Sequence, residues 1–153
     1  MRKSEEPADV LALERQLCFA LSLASRAVIA AYRPVLEPLR LTHPQYLVML
    51  ALWSESPLSL TRLSQLLNLE PATLSPLLKR LEAADYITRE RDLKDERALA
   101  VRLTHVGRAL RTQAEQIPAQ MMNRFDMTLS EATALHASMM KLIVAATTEH
   151  HND

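Results

Sequence analysis

One side chain in this sequence has the chemistry of a reversible oxidation sensor: Cys18, the single cysteine among 153 residues. A thiolate attacks peroxides and becomes a sulfenic acid, which a small thiol can convert to a mixed disulfide. With one cysteine, a disulfide within the chain is excluded. A lone cysteine is also among the most often buried residue types and frequently only fills space, so both interpretations stay open at this point.

A tyrosine on the same predicted helix is the natural partner of this thiol between two chains. Tyr32 follows Cys18 by 14 residues, close to a whole number of helical turns, so both side chains project from one face. They lie roughly 21 Å apart at about 1.5 Å per residue and cannot touch within one chain. If two such helices cross antiparallel near Ser25, Cys18 of one copy meets Tyr32 of the other. A phenol hydrogen-bonded to sulfur favours the reactive thiolate.

Charge is unevenly distributed along a chain whose net charge is zero. Residues 60–111 hold ten Lys/Arg against seven Asp/Glu, so this middle carries +3 and the remainder −3. A basic middle between acidic ends suits a surface that faces phosphates. The imbalance is mild, and charge alone does not decide for a nucleic-acid partner.

The elements that position these residues are mainly helical, because one glycine stands against many Leu and Ala residues. Apolar residues at helical spacing predict one amphipathic helix over residues 8–33, ended by Pro34 and Pro38. Thr42 and Gln45 form a capping-box pattern, which predicts that a second helix begins near residue 43.

The middle of the chain predicts a helix-turn-helix. Ser59 can cap a short helix, Leu60 to Leu67, and Pro71 can open a second one that runs to about Ala84. Such motifs place the start of the second helix in the major groove of DNA. Four outward residues there suit base edges, a thymine methyl group and phosphates: Thr73, Ser75, Pro76 and Lys79. An ordinary solvated helix face would show the same pattern.

A two-residue period replaces the helical pattern after Ile87, and residues 98–103 are predicted as the second strand of a hairpin. Four cations fall on this hairpin: Arg89, Arg91, Lys94 and Arg97. A charged hairpin directly after a helix-turn-helix has the arrangement of a wing, and an arginine at its tip suits a narrow minor groove. A surface hairpin held by ion pairs is the alternative.

Two further helices are predicted after the hairpin. Thr104 can cap a long one that reaches about Phe125 with a kink at Pro118, and Ser130 can cap the last. The terminal helices have apolar stripes and little else to cover, which predicts packing against each other and a second copy. The expected fold class is mainly α with a small β wing: a winged helix-turn-helix with N- and C-terminal dimerisation helices.

The chain resembles the MarR family of winged-helix bacterial regulators, on residues 63–110, LSQLLNLEPATLSPLLKRLEAADYITRERDLKDERALAVRLTHVGRAL, with the DER wing tip and the LTHVG run. The resemblance covers essentially the whole chain. It implies one MarR-type domain over 1–153, with dimerisation helices at 8–41 and 104–150 and a DNA-binding lobe at 42–103. It also implies an obligate homodimer on a pseudo-palindromic double-stranded operator. Ala98 stands where related wings often carry another arginine, which implies a weaker wing contact.

Three segments, QLCFAL, AAYRP and LTHPQYLVMLALW, resemble the organic-hydroperoxide-sensing branch of that family. There the cysteine at the position of Cys18 is the peroxide sensor, held by tyrosines of the partner subunit, and Tyr32 matches one of them. Ser22 and His43 stand where relatives have tyrosines. His43 can still donate to a thiolate and, if protonated, would stabilise it further. The resemblance implies a repressor that leaves DNA when an organic hydroperoxide or a similar oxidant converts Cys18 to a sulfenic acid. This acid either forms a mixed disulfide with a low-molecular-weight thiol or oxidises further.

Three alternatives accompany this interpretation. In the first, the regulator responds to a small aromatic acid bound between the dimer helices and the winged lobe, and Cys18 is structural. The second is a thiol peroxidase with His43 as a base, but nothing nearby supplies the paired Thr and Arg of such a site, so no enzyme is expected. The third is a helical adaptor without a DNA role.

The sequence predicts neither a cofactor nor a metal. No Cys/His/Asp cluster has zinc-like spacing, and His150 and His151 fall in a tail predicted to be frayed. The first ten residues, MRKSEEPADV, hold no apolar signal core, and the longest apolar run, residues 46–53, is too short to span a bilayer. A cytoplasmic protein is therefore expected, where a lone thiol stays reduced until an oxidant reaches it.

Overall fold

The structure of the chain, a computed structural model, describes residues 9–91 and 99–148. Backbone contacts divide the chain into two compact units, Met1–Ala109 and Leu110–Asp153. The first unit contains the helix that carries the cysteine, the helix-turn-helix and the sheet, and the second contains three helices.

The first helix, α1, spans Leu17–Leu36, so its predicted start at residue 8 is wrong. A short 3-10 turn at Leu13–Arg15 precedes it. The Gln16 side-chain amide donates to the carbonyl oxygen of Val10 at 2.8 Å and closes this turn. Because Gln16 itself has extended backbone angles, the periodic apolar residues before it do not continue into one helix.

The predicted end of α1 at Pro34 is also wrong, since Pro34 lies inside the last turn of the helix. A proline this near the C-terminus removes only one intrahelical hydrogen bond, so the helix continues to Leu36. A second 3-10 turn, Glu37–Leu39, then contains Pro38 and ends at Arg40, which has a left-handed φ of 54°. This turn redirects the chain into the next helix.

α1 is almost uncovered within its own chain. Leu36 is its one buried residue, and Leu17 and Ile29 are 61% and 42% exposed. By length and composition alone, the segment Leu17–Leu39, with a mean hydropathy of 1.3, could cross a membrane, which uninterrupted apolar runs did not predict. A helix that packs against another protein surface can have the same length and apolar composition. An apolar face of this size needs a cover from outside its own unit.

The second helix, α2, spans His43–Ser54 and confirms the predicted capping box. The Thr42 hydroxyl oxygen accepts from the Gln45 amide at 3.4 Å, and the Thr42 amide donates to the Gln45 side chain at 2.8 Å. α2 is the central helix of the unit, with three apolar side chains at most 1% exposed: Val48, Met49 and Leu52.

The helix-turn-helix is formed as predicted, by α3 at Leu60–Leu67 and α4 at Pro71–Ala83. Ser59 caps α3 by accepting from the Arg62 amide at 3.0 Å. Asn68 takes a left-handed φ of 50°, which makes the tight turn between the helices without a glycine. The buried stripe of α4 consists of Leu74, Leu78 and Leu81.

Three strands form a small antiparallel sheet in the order β1-β3-β2, with β1 at Leu58–Ser59, β2 at Ile87–Arg91 and β3 at Leu99–Leu103. The predicted hairpin of β2 and β3 is confirmed, with Ile87 opposite Leu103. β1 was not predicted, because two residues carry no readable alternation. Ile87, Val101 and Leu103 turn their side chains into the core. Residues 92–98, between β2 and β3, lie outside the described residues.

The single glycine of the chain joins three elements at one point. Gly107 lies in α5, His105–Ala109, where its amide donates to the capping hydroxyl of Thr104 at 3.0 Å. Its carbonyl accepts from the Trp53 indole at 2.9 Å. A Cβ atom on Gly107 would lie 2.0 Å from the Tyr86 carbonyl oxygen. Only glycine therefore fits where α5 meets the backbone that leads into β2.

Three shorter helices stand where one long helix after the hairpin is predicted. The stretch from Thr104 to Phe125 is divided into α5, α6 at Arg111–Ala114 and α7 at Ile117–Arg124. The predicted kink at Pro118 is wrong, because Pro118 opens α7 in its first turn. A proline ring clashes with the carbonyl four residues before it, so α6 ends at Ala114 and a new helix begins.

The last helix, α8, spans Leu129–Thr147, and its predicted cap, Ser130, is wrong. Thr128 is the cap: its hydroxyl accepts from the Glu131 amide at 3.2 Å, and its own amide donates to the Glu131 carboxylate at 2.8 Å. These bonds form a complete capping box. The apolar residues of α8 are exposed, as on α1, with Leu135 47% and Val144 59% exposed.

Gly107→Ala is expected to lower the free energy of unfolding by about 2–4 kcal/mol, because its methyl group would overlap the Tyr86 backbone. Arg108→Ala, at an exposed position of the same helix, is the matched control and should stay within about 0.5 kcal/mol of wild type. Urea unfolding followed by circular dichroism measures both. Equal stability of the two variants would contradict the close approach.

Candidate nucleic-acid interface and thiol site

The outward face of α4 carries the four side chains predicted to contact DNA. All four are exposed: Thr73, Ser75, Pro76 and Lys79. Each residue advances a helix by about 100°, so Pro76 and Lys79 point opposite the buried stripe and the two hydroxyl residues flank them. The structure therefore places short hydroxyls, one apolar ring and one ammonium group on a single solvent-facing surface of the second helix of the helix-turn-helix.

The cations predicted for the wing are in different situations. Arg91 is exposed at the end of β2. Lys94 and Arg97 lie outside the described residues. Arg89 forms a salt bridge with Glu82 of α4, with 2.7 Å between Arg89 Nη2 and Glu82 Oε2. The prediction that Arg89 faces DNA did not include this partner.

The Glu82 carboxylate accepts three hydrogen bonds from Arg89. Nε and Nη2 donate to Oε2 at 3.0 and 2.7 Å, and the Arg89 backbone amide donates to Oε1 at 3.2 Å. The guanidinium hydrogen bonds are the main reason that the pKa of Glu82 lies below its ordinary value. The Glu82 carboxylate is therefore ionised at neutral pH, and its contact with Arg89 links the last turn of α4 to β2.

The three residues of the predicted thiol site do not meet within one chain. Cys18 is exposed at the second position of α1. Tyr32 lies near the other end of the same helix, where its ring packs edge-on against His43 with 5.2 Å between ring centroids. Tyr46 of α2 was not predicted to belong to this site. Its ring centroid lies 6.0 Å from that of Tyr32. The structure thus brings Tyr32 and His43 together and leaves Cys18 apart from them.

Burial fixes the protonation states of this aromatic cluster, Tyr32, His43 and Tyr46. It raises the pKa of Tyr32, and it raises the pKa of Tyr46 with a smaller contribution from Tyr32. It lowers the pKa of His43, so the imidazole is neutral at pH 7. The cluster therefore presents hydroxyl and imidazole N–H donors, and His43 does not supply the positive charge that would further stabilise a thiolate.

A cavity of about 600 Å³ lies beside this cluster, between α1 and the start of α2. Its wall includes Ile29, Leu41 and His43 together with the charged residues Arg33, Glu37 and Arg40. The sequence did not reveal this site, because its lining residues come from α1, the 3-10 turn after it and the start of α2. Within residues 9–91 and 99–148, no group of three or more His, Cys, Asp or Glu side chains could hold a metal ion.

Comparison with known proteins identifies relatives of this fold. HTH-type transcriptional regulator TtmR of Methylorubrum extorquens is 44% identical over 127 residues, which are 83% of this chain and 65% of TtmR. The organic hydroperoxide resistance transcriptional regulator of Bacillus subtilis is 35% identical over 139 residues, 91% of this chain and 95% of that protein. Both relatives are transcriptional regulators.

Among solved structures, AbfR of Staphylococcus epidermidis is 34% identical with a TM-score of 0.70, and the match covers 88% of this chain and 92% of that one. Reduced AbfR bound to DNA matches with a TM-score of 0.74 at 29% identity, over 89% of this chain and 95% of that one. AbfR has also been solved in an overoxidised form bound to DNA and in a disulfide form.

The fold and these similarities define a winged-helix transcriptional regulator of the MarR type. The family described as transcriptional regulator SarA/Rot matches residues 30–113, and the chain belongs to it. The predicted resemblance to MarR regulators, including the organic-hydroperoxide branch with one cysteine, is confirmed.

The half-buried His43 is expected to make stability depend on pH. Because its pKa is lowered in the folded chain, the unfolded chain binds the proton first as pH falls below the ordinary value of 6.5, and stability is lost from there down to the lowered pKa. The drop in melting temperature between pH 7.5 and pH 5.5 should be smaller in His43→Gln than in wild type. His136→Gln, at an exposed position of α8, is the control and should keep the full drop. Identical pH profiles for wild type and His43→Gln would rule out the effect.

Proposed function

We propose that the chain is a homodimeric, DNA-binding transcriptional repressor of the cytoplasm, released from its operator when Cys18 is oxidised by an organic hydroperoxide or a similar oxidant. One observation supports the redox part: α1 has an exposed thiol at one end and Tyr32, packed against His43 of α2, at the other, with an uncovered apolar face between them. An antiparallel crossing of two such helices near Ser25 brings each thiol to the partner's phenol.

The DNA-binding part rests on the winged lobe, which we assign to residues 42–103. Thr73, Ser75, Pro76 and Lys79 of α4 are exposed, and Arg91 extends the basic surface along β2. We keep Lys94 and Arg97 as proposed contacts at the wing tip. A double-stranded, pseudo-palindromic operator with half-sites about one helical turn apart fits a dimer that presents two such helices.

The dimer part rests on the terminal helices, which we assign to residues 8–41 and 104–150. Apolar side chains on α1 and α8 are exposed in the single chain: Leu17, Leu23, Val28 and Ile29 on α1, and Leu129, Leu135, Met140, Ile143 and Val144 on α8. Covering these faces with a second copy removes them from water. The same cover would enclose Cys18 beside hydroxyl donors, which favours its thiolate.

The proposed chemistry takes two steps. The Cys18 thiolate attacks the terminal oxygen of the hydroperoxide, the O–O bond breaks, and a sulfenic acid and an alcohol result once the alkoxide takes up a proton. A small cellular thiol then condenses with the sulfenic acid, forming a mixed disulfide and releasing water. Overoxidised AbfR is bound to DNA, which supports a bulky disulfide adduct as the species that releases this chain.

A second candidate function has its own observation, the cavity beside His43. Two arginines, Arg33 and Arg40, line it with one acidic residue, Glu37, and with the apolar residues Ile29 and Leu41. This combination suits the carboxylate and ring of a small aromatic acid. In this alternative the acid is the effector of the same regulator, and Cys18 is structural.

DNA binding is tested with a duplex selected by the protein from a random-sequence library. Affinity should fall steeply with salt, and Lys79→Ala should reduce the slope of log K against log salt by about 0.9 for each phosphate that the side chain no longer neutralises. Arg124→Ala, which removes an exposed cation of α7, is the charge-matched control and should leave the slope unchanged. Fluorescence anisotropy at several salt concentrations measures both. Failure to select any duplex would overturn the proposal.

Oxidation is tested by a gel shift on the selected duplex with cumene hydroperoxide and a small thiol. Wild type should release the duplex, while Cys18→Ser should stay bound at the same oxidant concentration. Mass spectrometry should show one thiol adduct per chain in wild type. Release of Cys18→Ser at the wild-type concentration would exclude the thiol sensor, and release of both proteins by benzoate would favour the aromatic-acid alternative.

A further inference from the structure

The contact between Glu82 and Arg89 joins the two DNA-facing parts of the winged lobe. Glu82 lies in the last turn of α4, and Arg89 lies in the middle of β2, an edge strand of the sheet. One carboxylate receives the guanidinium and the backbone amide of the same arginine. It therefore restrains the main chain of β2 and not only a flexible side chain.

The geometry makes this contact stiffer than an ordinary surface ion pair. The guanidinium approaches through two nitrogens, a fork that fixes its orientation, and the Arg89 side chain is 25% exposed. The chain between the helix and the strand is a short turn in which Asp85 has a left-handed φ of 63°. The turn sets where β2 begins, and the carboxylate sets how β2 lies along α4.

An acidic residue beside a DNA-binding surface ordinarily weakens binding, because it repels phosphates. Here the carboxylate is matched by Arg89, so the pair adds no net charge to the surface. Two guanidinium nitrogens of Arg89 donate to Glu82, so this side chain is used in a contact within the protein. The pair therefore bears on DNA binding through the geometry of the wing and not through its charge.

We propose that Glu82 is a positioning residue for DNA binding, which holds the first strand of the wing against the second helix of the helix-turn-helix, and that Arg89 serves this contact instead of a phosphate. The inference rests on the proposed DNA-binding function. It predicts a change in DNA affinity opposite to the one that the charge of Glu82 alone would cause. Removing the negative charge of Glu82 weakens DNA binding, although the surface becomes more positive.

The first test compares two charge-matched variants on the selected duplex. Glu82→Gln should weaken binding by about fivefold, the size expected for a partly exposed ion pair whose two guanidinium donors share one carboxylate oxygen. Glu70→Gln neutralises an exposed carboxylate at the start of α4 that makes no capping hydrogen bond, and it should bind as tightly as wild type or more tightly. Binding of Glu82→Gln at or above the wild-type affinity would overturn the proposal.

The second test asks whether Arg89 acts through Glu82. Arg89→Ala added to Glu82→Gln should cost little more affinity than Glu82→Gln alone, because the ion pair is already broken. An independent phosphate contact of Arg89 would instead give a further drop in affinity and a lower salt slope, and that result would overturn the assignment of Arg89.

A third measurement needs no DNA and separates this inference from the proposed function. Amide hydrogen exchange in β2 and β3 of the free dimer should be faster in Glu82→Gln than in wild type and unchanged in Glu70→Gln, with melting temperatures confirming that each variant is folded. If no duplex binds, the proposed DNA-binding function fails. The amide hydrogen exchange rates still show whether the Glu82–Arg89 contact holds β2 in place. Unchanged exchange in Glu82→Gln would overturn the positioning role.

Discussion

The uncovered face of α1 is the constraint on which the rest of the proposed mechanism depends. Twenty residues form this helix, and one of them is buried within the chain. Removing its apolar side chains from water is the strongest force available for assembly. Covering the helix with its symmetric copy would serve three purposes at once: it would bury the face, bring Cys18 to Tyr32, and fix the distance between two winged lobes. In the proposed dimer, chemistry at the thiol would act on the same contact that sets this distance.

Local rules predicted the parts of the fold that depend on neighbouring residues. The caps at Thr42 and Ser59 and the helix start at Pro71 each follow from a side chain or a missing amide within four residues, and all three are present. The predicted cap of α8 was wrong because the sequence offers two residues that can cap this helix. Thr128 and Ser130 both can cap, and the bonds with Glu131 select the first. Such a choice depends on backbone angles that apolar periodicity does not encode.

In the candidate site, too, some features follow from local sequence rules and others depend on tertiary contacts. Which residues of α4 face outward follows from helical periodicity, so the outward positions of Thr73, Ser75, Pro76 and Lys79 are predictable without a structure. The partner of Arg89 could not be predicted, since seven residues and a left-handed turn separate it from Glu82. A cation in a strand next to a DNA-reading helix resembles a phosphate contact until its neighbour is known. The cavity beside His43 is likewise beyond local rules, because its lining residues come from α1, the turn that ends at Arg40 and the start of α2.

A chain of packed side chains connects the thiol end of the mechanism to the wing within one unit. Tyr32 packs on Tyr46, and Tyr46 packs on Trp53 with 6.4 Å between ring centroids. The Trp53 indole donates to the Gly107 carbonyl at 2.9 Å, and Gly107 lies against the Tyr86 backbone, one residue before β2. Closely packed groups cannot absorb a shift by compression, so a displaced Tyr32 must move its neighbours or separate from them. In the proposed dimer, an adduct on the partner's Cys18 would contact Tyr32, the first of these packed groups. The last of them, Tyr86, directly precedes β2, the strand that Glu82 contacts.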